Sequence, residues 1–317
     1  MESSILECIR TVGRGERGRK PLSFEQAYTI MSEYLDGHCD ADQMAMLLML
    51  IRVQNETHDE IAGFVRAFQP RIAKINADID WPCYAGKRLS LGKPWHLIAA
   101  KILAKQGQRV LLHGYKDSVN PREHASDYLE QIGIERAKDA LHAQTLLDDK
   151  NIAYLPLENF APQALAMMDW RHRYGLRTPI NTVVRALNPG QARFGIRGSF
   201  HPGYQELHAR IEHSVGTLSH TMLSFKGQSG ESEYNPKVSQ TVWLSQEQGV
   251  SELYWPAFDD LVLPRIDTCP LGTPDEDKDT MAKTVVSTLV SVLFTQLGDR
   301  EQALNKAQTL WREYVDG

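Results

Sequence analysis

The sequence predicts an α/β protein with two parts. Residues 1–75 form a small N-terminal helical domain, with helices around 160–187 packing onto it. Residues 76–317 form a larger α/β domain with a mostly parallel central sheet. Three observations predict this. Three helix-start signals follow one another before residue 75, with nothing strand-like between them. A strand, a helix and a second strand then fit between Ile79 and His113, the length of a βαβ unit with a parallel strand pair. The chain closes on two long helical patterns.

In chain order, the start signals are Ser23 with Gln26, Asp40 with Gln43 and Thr57 with Glu60. Each puts a side-chain acceptor at an N-cap and an amide or carboxylate three residues on, the spacing of a capping box. Behind them the apolar residues recur at helical spacing: Ala27, Ile30, Met31 and Tyr34, then Met44, Leu47, Leu48 and Ile51, then Ile61, Phe64, Val65 and Phe68. Gly37 and Pro70 end two of these helices. Ile79 to Tyr84 reads as a short strand entering a turn, His96 to Lys105 as a helix, and Arg109 to His113 as a strand stopped by Gly114. Strand patterns return at Ile152 to Leu157 and Ser219 to Phe225, and Val242 to Leu253 reads as a more exposed strand pair. The prolines at 236, 256, 264, 270 and 274 make 235–275 mainly loops and short strands. Asp275-Glu276-Asp277 reads as the start of a helix, where acids favour the dipole. Thr280 to Phe294 and Arg300 to Tyr314 are the closing helices.

Composition narrows the functional classes. With 317 residues, 42% hydrophobic and 24% charged, the chain has ample material for a core, which excludes general disorder. Four cysteines without paired spacing exclude a disulfide scaffold or a structural zinc motif readable from spacing. No signal-peptide pattern opens the sequence. The longest apolar runs, Ala45 to Ile51 and Val285 to Phe294, fall short of a membrane span. A cytoplasmic protein without membrane contact is expected.

The net charge of -5 hides a strong segregation. Trp81 to Lys116 holds seven bases and no acid, and Arg171 to Gln205 holds six arginines and no acid. Such patterning points to a positive surface on an acidic body, and so to an anion: phosphate, pyrophosphate or a nucleic-acid backbone. The alternative is that these bases scatter over several faces and pair with acids elsewhere. The loop from Gly13 to Lys20 is basic too, and reads equally as a phosphate clamp or a solvated connector.

The candidate anion-binding or nucleic-acid-binding residues are Lys87, Arg88, Lys93, Lys116, Arg171, Arg173 and Arg177. Lys87 and Arg88 lie on a turn after a strand, where ligands of open α/β sheets bind. Arg171, Arg173 and Arg177 are read on one helix, with Arg173 and Arg177 four apart and able to share a face. Tyr84, Trp95 and Tyr115 are aromatics among the bases, suited to stacking on nucleobases. His113 ends a buried strand and reads more readily as structural than catalytic, and His201-Pro202 as a helix entry. Glu231 and Glu233 are a possible metal pair. No catalytic residue is assigned.

The order of these features resembles the anthranilate phosphoribosyltransferase fold, shared with pyrimidine nucleoside phosphorylases. The resemblance rests on the Gly-containing turn, the strand ending in His113-Gly114, and Phe160-Ala-Pro162. It continues through Arg171-His-Arg-Tyr-Gly-Leu-Arg-Thr178 with Asn181, Asn188-Pro189 and Gly230-Glu-Ser-Glu-Tyr-Asn-Pro236. It is nearest to the YbiB-type branch of that family.

In the family's enzymes a G-T-G-G-D turn wraps the diphosphate of phosphoribosyl pyrophosphate. Here that turn reads Cys83-Tyr84-Ala85-Gly86-Lys87, a degenerate substrate loop with Tyr84 and Gly86, followed by His113 and Gly114 without the family's Asn-Arg. The next residues are Tyr115-Lys116-Asp117-Ser118. The enzymes' magnesium-binding Asp-Glu pair becomes Ser232-Glu233, with Glu231 as a possible substitute. Arg171 matches the arginine that holds the anthranilate carboxylate.

What the YbiB branch implies is nucleic-acid binding without sequence specificity in a basic groove, as a homodimer through the N-terminal helical domain, with no certain cofactor. The competing expectation is an active phosphoribosyl- or glycosyltransferase, in tryptophan biosynthesis or on another acceptor. That reading uses phosphoribosyl pyrophosphate and, being enzymatic, magnesium. A regulator that binds a phosphorylated metabolite is a third possibility.

Overall fold

The computed structural model describes residues 4–117, 121–216, 220–268 and 270–317; Ser118, Ser219 and Cys269 lie outside the described residues. Four helices open the chain: α1 (Ser4–Gly13), α2 (Phe24–Leu35), α3 (Ala41–Val53) and α4 (His58–Phe68). Ser23 and Thr57 form complete capping boxes with Gln26 and Glu60. Asp40 stands at the N-cap of α3 but makes no side-chain cap hydrogen bond, so its acid acts there through the helix dipole alone.

Among the described residues the sheet has seven strands: β1 (Ile79–Cys83), β2 (Val110–Gly114), β3 (Ile152–Pro156), β4 (Phe194–Ser199), β5 (Thr221–Lys226), β6 (Gln240–Gln246) and β7 (Gly249–Trp255). Their spatial order is β3-β2-β1-β4-β5-β6-β7. The first five are parallel, and β6 and β7 add an antiparallel hairpin at one edge. β4 has no counterpart in the sequence reading. Two glycines and a fully buried arginine break its apolar pattern, because Arg197 is neutralised inside the protein by Asp80 and Glu212.

The remaining helices are α5 (His96–Lys105), α6 (Leu129–Ile132), α7 (Ala140–Lys150), α8 (Pro162–Tyr174), α9 (Ile180–Val183), α10 (Tyr204–Val215), α11 (Lys278–Leu297) and α12 (Arg300–Asp316). Strand residues alternate between the two sides of the sheet. Leu111, Ala153 and Leu155 pack with α1–α4 and α7–α10, whereas Val110, Leu112, Ile152 and Tyr154 pack with α5, α11 and α12.

The segment Asp275–Leu297 is long and apolar enough to cross a membrane by length and composition, which the shorter run noted in the sequence did not anticipate. In the fold, 78% of its apolar 18-residue window is buried inside the protein, so that apolar surface serves the core.

The strand order reverses at β1, which is followed in sequence by its neighbour β2 but has β4 on its other side. Open α/β sheets bind ligands in the crevice beyond the strand ends at such a switch point. The turns after β1 and β4 meet there.

Candidate functional site

The segment 227–233 crosses the ends of β1 and β4 and is pinned to both. Trp81 donates its indole N–H to Ser232 O at 2.9 Å, and the backbone N–H of Gly198 donates to Ser232 Oγ at 3.1 Å. Gly198 is required by this approach, since a Cβ there would lie 1.9 Å from Glu231 O. The crossing delivers Glu231 to the turn after β1, where the backbone N–H groups of Ala85 and Gly86 both donate to its Oε1. Two convergent amides on a glycine-containing turn form an anion nest. Here a carboxylate of the chain itself fills it.

Glu233 is engaged as fully. Its Oε1 lies 2.5 Å from Lys87 Nζ, and its Oε2 accepts from the backbone N–H of His96 at 2.8 Å and lies 3.2 Å from His96 Nδ1. All three side chains are excluded from solvent. Burial alone would raise the Glu233 carboxyl, but Lys87 and His96 outweigh it and hold the group below the usual carboxylate range. Lys87 also donates to Lys93 O at 2.6 Å and sits 4.1 Å from the Trp95 ring centre. Lys87 therefore holds the interior together and does not face an incoming anion, contrary to its sequence reading.

The two acids do not fit magnesium as placed. That ion takes hard oxygen donors and keeps several waters. Three of the four carboxylate oxygens are committed to amides, an ammonium or an imidazole. The remaining one, Glu231 Oε2, belongs to a carboxylate that lies near a thiol and an imidazole.

Beyond this plugged turn lies an open cleft of about 170 Å³, between the helical elements and the strand ends. Six arginines line it, Arg52, Arg88, Arg122, Arg171, Arg177 and Arg185, with Glu56 and Asp117 as the lining carboxylates. Arg171 pairs with Asp117, Arg177 lies 4.0 Å from the same carboxylate, and Arg52 is 3.2 Å from Glu56. Arg88 and Arg122 have no carboxylate partner among the described residues. Burial and the neighbouring Arg171 push Arg177 below its ordinary value, and burial lowers Arg185 likewise. An anion in the cleft would relieve this crowding.

Of the sequence candidates, Arg88, Arg171 and Arg177 meet in this cleft. Lys93 instead joins Glu123 and Tyr128, each at 3.0 Å, and Lys116 pairs with Asp127 at 2.6 Å. Arg173 is exposed beside Tyr174. It shares no helix with Arg177, because Gly175 in the left-handed region (φ 73°) ends α8 first. The bases of the two acid-free stretches are thus divided: part line the cleft, and part pair with acids elsewhere.

Tyr84 and Trp95 are buried and cannot stack on a base: Tyr84 OH bonds His113 Nδ1 at 2.9 Å, and Trp95 Nε1 donates to Thr273 Oγ1 at 2.9 Å. Tyr115 lines the cleft half-buried. His113 is structural: its Nε2 lies 3.2 Å from Asp80 Oδ1, while Asp80 Oδ2 is 2.8 Å from Arg197. Gly114 passes so close to Cys83 O that a Cβ would lie at 2.2 Å.

Sequence reasoning missed Arg52, Arg122 and Phe200. Arg52 stands at the end of an apolar helix stripe and Arg122 outside both acid-free stretches. Phe200 is 41% exposed, with the Arg88 guanidinium 5.4 Å and the Lys226 ammonium 5.8 Å from its ring centre.

This combination of a helical bundle and a switch-point cleft defines a glycosyltransferase-type fold. Residues 6–70 match the family described as "Glycosyl transferase family, helical bundle domain". Over 303 residues the chain is 27% identical to anthranilate phosphoribosyltransferase of Geobacillus kaustophilus, covering 92% of this chain and 87% of that protein. It is 30% identical over 220 residues to the Bacillus caldotenax enzyme, covering 68% of this chain and 88% of that one.

The fold matches the crystal structure of the Thermus thermophilus enzyme with a TM-score of 0.73 at 18% identity, over 97% of this chain and 94% of that one. It matches the Saccharomyces cerevisiae enzyme in complex with phosphoribosyl pyrophosphate and magnesium with a TM-score of 0.71 at 17% identity, over 99% and 94%. The chain belongs to the anthranilate phosphoribosyltransferase family.

Proposed function

We propose that this chain is a polyanion-binding member of its family, which grips nucleic acid by the phosphate backbone along the arginine cleft and does not turn over phosphoribosyl pyrophosphate. The reading is that of the YbiB-type branch, acting as a homodimer through the N-terminal helical part. One observation carries it: the Glu231 carboxylate occupies the two-amide nest of the turn after β1, where the family resemblance would put a diphosphate. A diphosphate entering there meets a carboxylate, and the acid expected to hold its magnesium is neutralised by Lys87. The arginines of the cleft lie outside this plug and can meet phosphates that are spaced along a strand.

The test is fluorescence anisotropy of labelled single- and double-stranded oligonucleotides at several salt concentrations, with phosphoribosyl pyrophosphate and magnesium as competitor. The account predicts binding that weakens steeply with salt and is not displaced by the competitor.

A second reading, an active phosphoribosyltransferase, is favoured by the comparisons. Relatives named for that activity match the chain along most of its length, and the yeast relative is in complex with phosphoribosyl pyrophosphate and magnesium. It requires Glu231 to leave the nest when substrate arrives. Magnesium-dependent release of pyrophosphate, lost in Arg171→Ala, would establish it over the first reading.

A further inference from the structure

Behind the plugged nest, three chemically dissimilar side chains converge. Cys83 ends β1, His96 begins α5, and Glu231 reaches in from the crossing segment. All three are buried, and one ligand atom from each lies within 4.8 Å of the others. Cys83 Sγ is 3.6 Å from His96 Nε2. In a tetrahedral zinc centre, with Zn–S of about 2.3 Å and Zn–N of about 2.0 Å, the sulfur–nitrogen edge is about 3.5 Å.

Two further observations point to a ligand. Glu231 Oε2 is buried with no hydrogen-bond partner, while Oε1 is held by the turn amides. Glu233 Oε2 lies against His96 Nδ1, a contact that favours the Nδ1–H tautomer; in that tautomer Nε2 offers its lone pair to the Cys83 side, where the thiol now hydrogen-bonds it. A carboxylate behind an imidazole is the usual outer support of a metal-bound histidine.

We propose that Cys83 Sγ, His96 Nε2 and Glu231 Oε2 bind one borderline-soft divalent cation, zinc being the best fit. The donor set of sulfur, imidazole nitrogen and one carboxylate oxygen suits zinc, and it leaves the fourth position to water. Binding takes the place of the Cys83 thiol proton, which is released to solvent. The cation ties together the three segments around the nest: the end of β1, the first turn of α5 and the crossing at 227–233. This goes beyond nucleic-acid binding and stands whether or not the cleft takes a strand.

The experiment titrates the full chain, under reducing conditions, with cobalt and with zinc. The expected result is one tightly bound equivalent and, for cobalt, a thiolate-to-metal charge-transfer band with tetrahedral visible bands. Cys83→Ser abolishes the charge-transfer band and Glu231→Gln weakens binding at least tenfold, while Cys39→Ser leaves both unchanged. X-ray absorption of the unsubstituted zinc-loaded chain needs no variant to fold, and should report one sulfur in a shell of nitrogen and oxygen. Absence of stoichiometric binding, a shell without sulfur, or a cobalt spectrum that survives in folded Cys83→Ser would overturn the proposal.

Discussion

The ammonium of Lys87 lies 2.5 Å from Glu233 Oε1, and both side chains are wholly excluded from solvent. A lysine on a turn in an acid-free stretch thus serves the interior, and the carboxylate it meets is the one that the family resemblance assigns to magnesium. Replacing either member alone leaves an uncompensated buried charge.

Lys87→Met should accordingly destabilise the protein by about 3–5 kcal/mol. Pairing it with Glu233→Leu should recover a substantial part of that loss, because the two sites are coupled. Urea unfolding of both variants measures this. A stable Lys87→Met protein with weakened oligonucleotide binding would restore the lysine to the ligand site.

Removing the plug should expose the nest. Glu231→Ala frees the amides of Ala85 and Gly86, so inorganic pyrophosphate without metal should bind at least about tenfold more tightly, or about 1.4 kcal/mol. Isothermal calorimetry on the variant, with circular dichroism as the fold control, gives the comparison. Equal affinities would mean that Glu231 does not hold the site closed.

Stability should fall toward acid in two stages. His208 is held well below its ordinary value by burial, with Arg185 and Arg197 adding repulsion. Its unfolded form gains a proton below about pH 6.5 that the folded form refuses, so this contribution is complete above that pH and declines below it.

Burial would raise Asp80, but His113 and Arg197 outweigh it and keep the group below the carboxylate range, as Lys87 does for Glu233. Their contributions are complete above about pH 4 and vanish as pH falls through the depressed folded values. Urea midpoints between pH 8 and 3 follow both stages. Stability that rose on acidification would contradict these assignments.

The parts of the fold that depend on local chemistry were legible. The boxes at Ser23 and Thr57 and the unit from Ile79 to Gly114 follow from spacing a few residues wide. β4 was not legible, because Arg197 is apolar in effect only once Asp80 and Glu212 surround it. The candidate site divided in the same way. The charge pattern drew attention to Arg88, Arg171 and Arg177. It could not show that the partner of the turn amides lies 146 residues from Ala85, or that Gly175 turns the chain between Arg173 and Arg177.

The central claim is that the cleft arginines hold a phosphate backbone. The most direct measurement is the slope of log affinity against log salt for a duplex oligonucleotide, compared between the unsubstituted chain and Arg88→Ala/Arg177→Ala. Each lost phosphate contact removes about 0.9 from the slope, so the double variant should bind more weakly to every sequence, with a slope shallower by about 2. An unchanged slope and affinity, or no binding by the unsubstituted chain, would contradict the account.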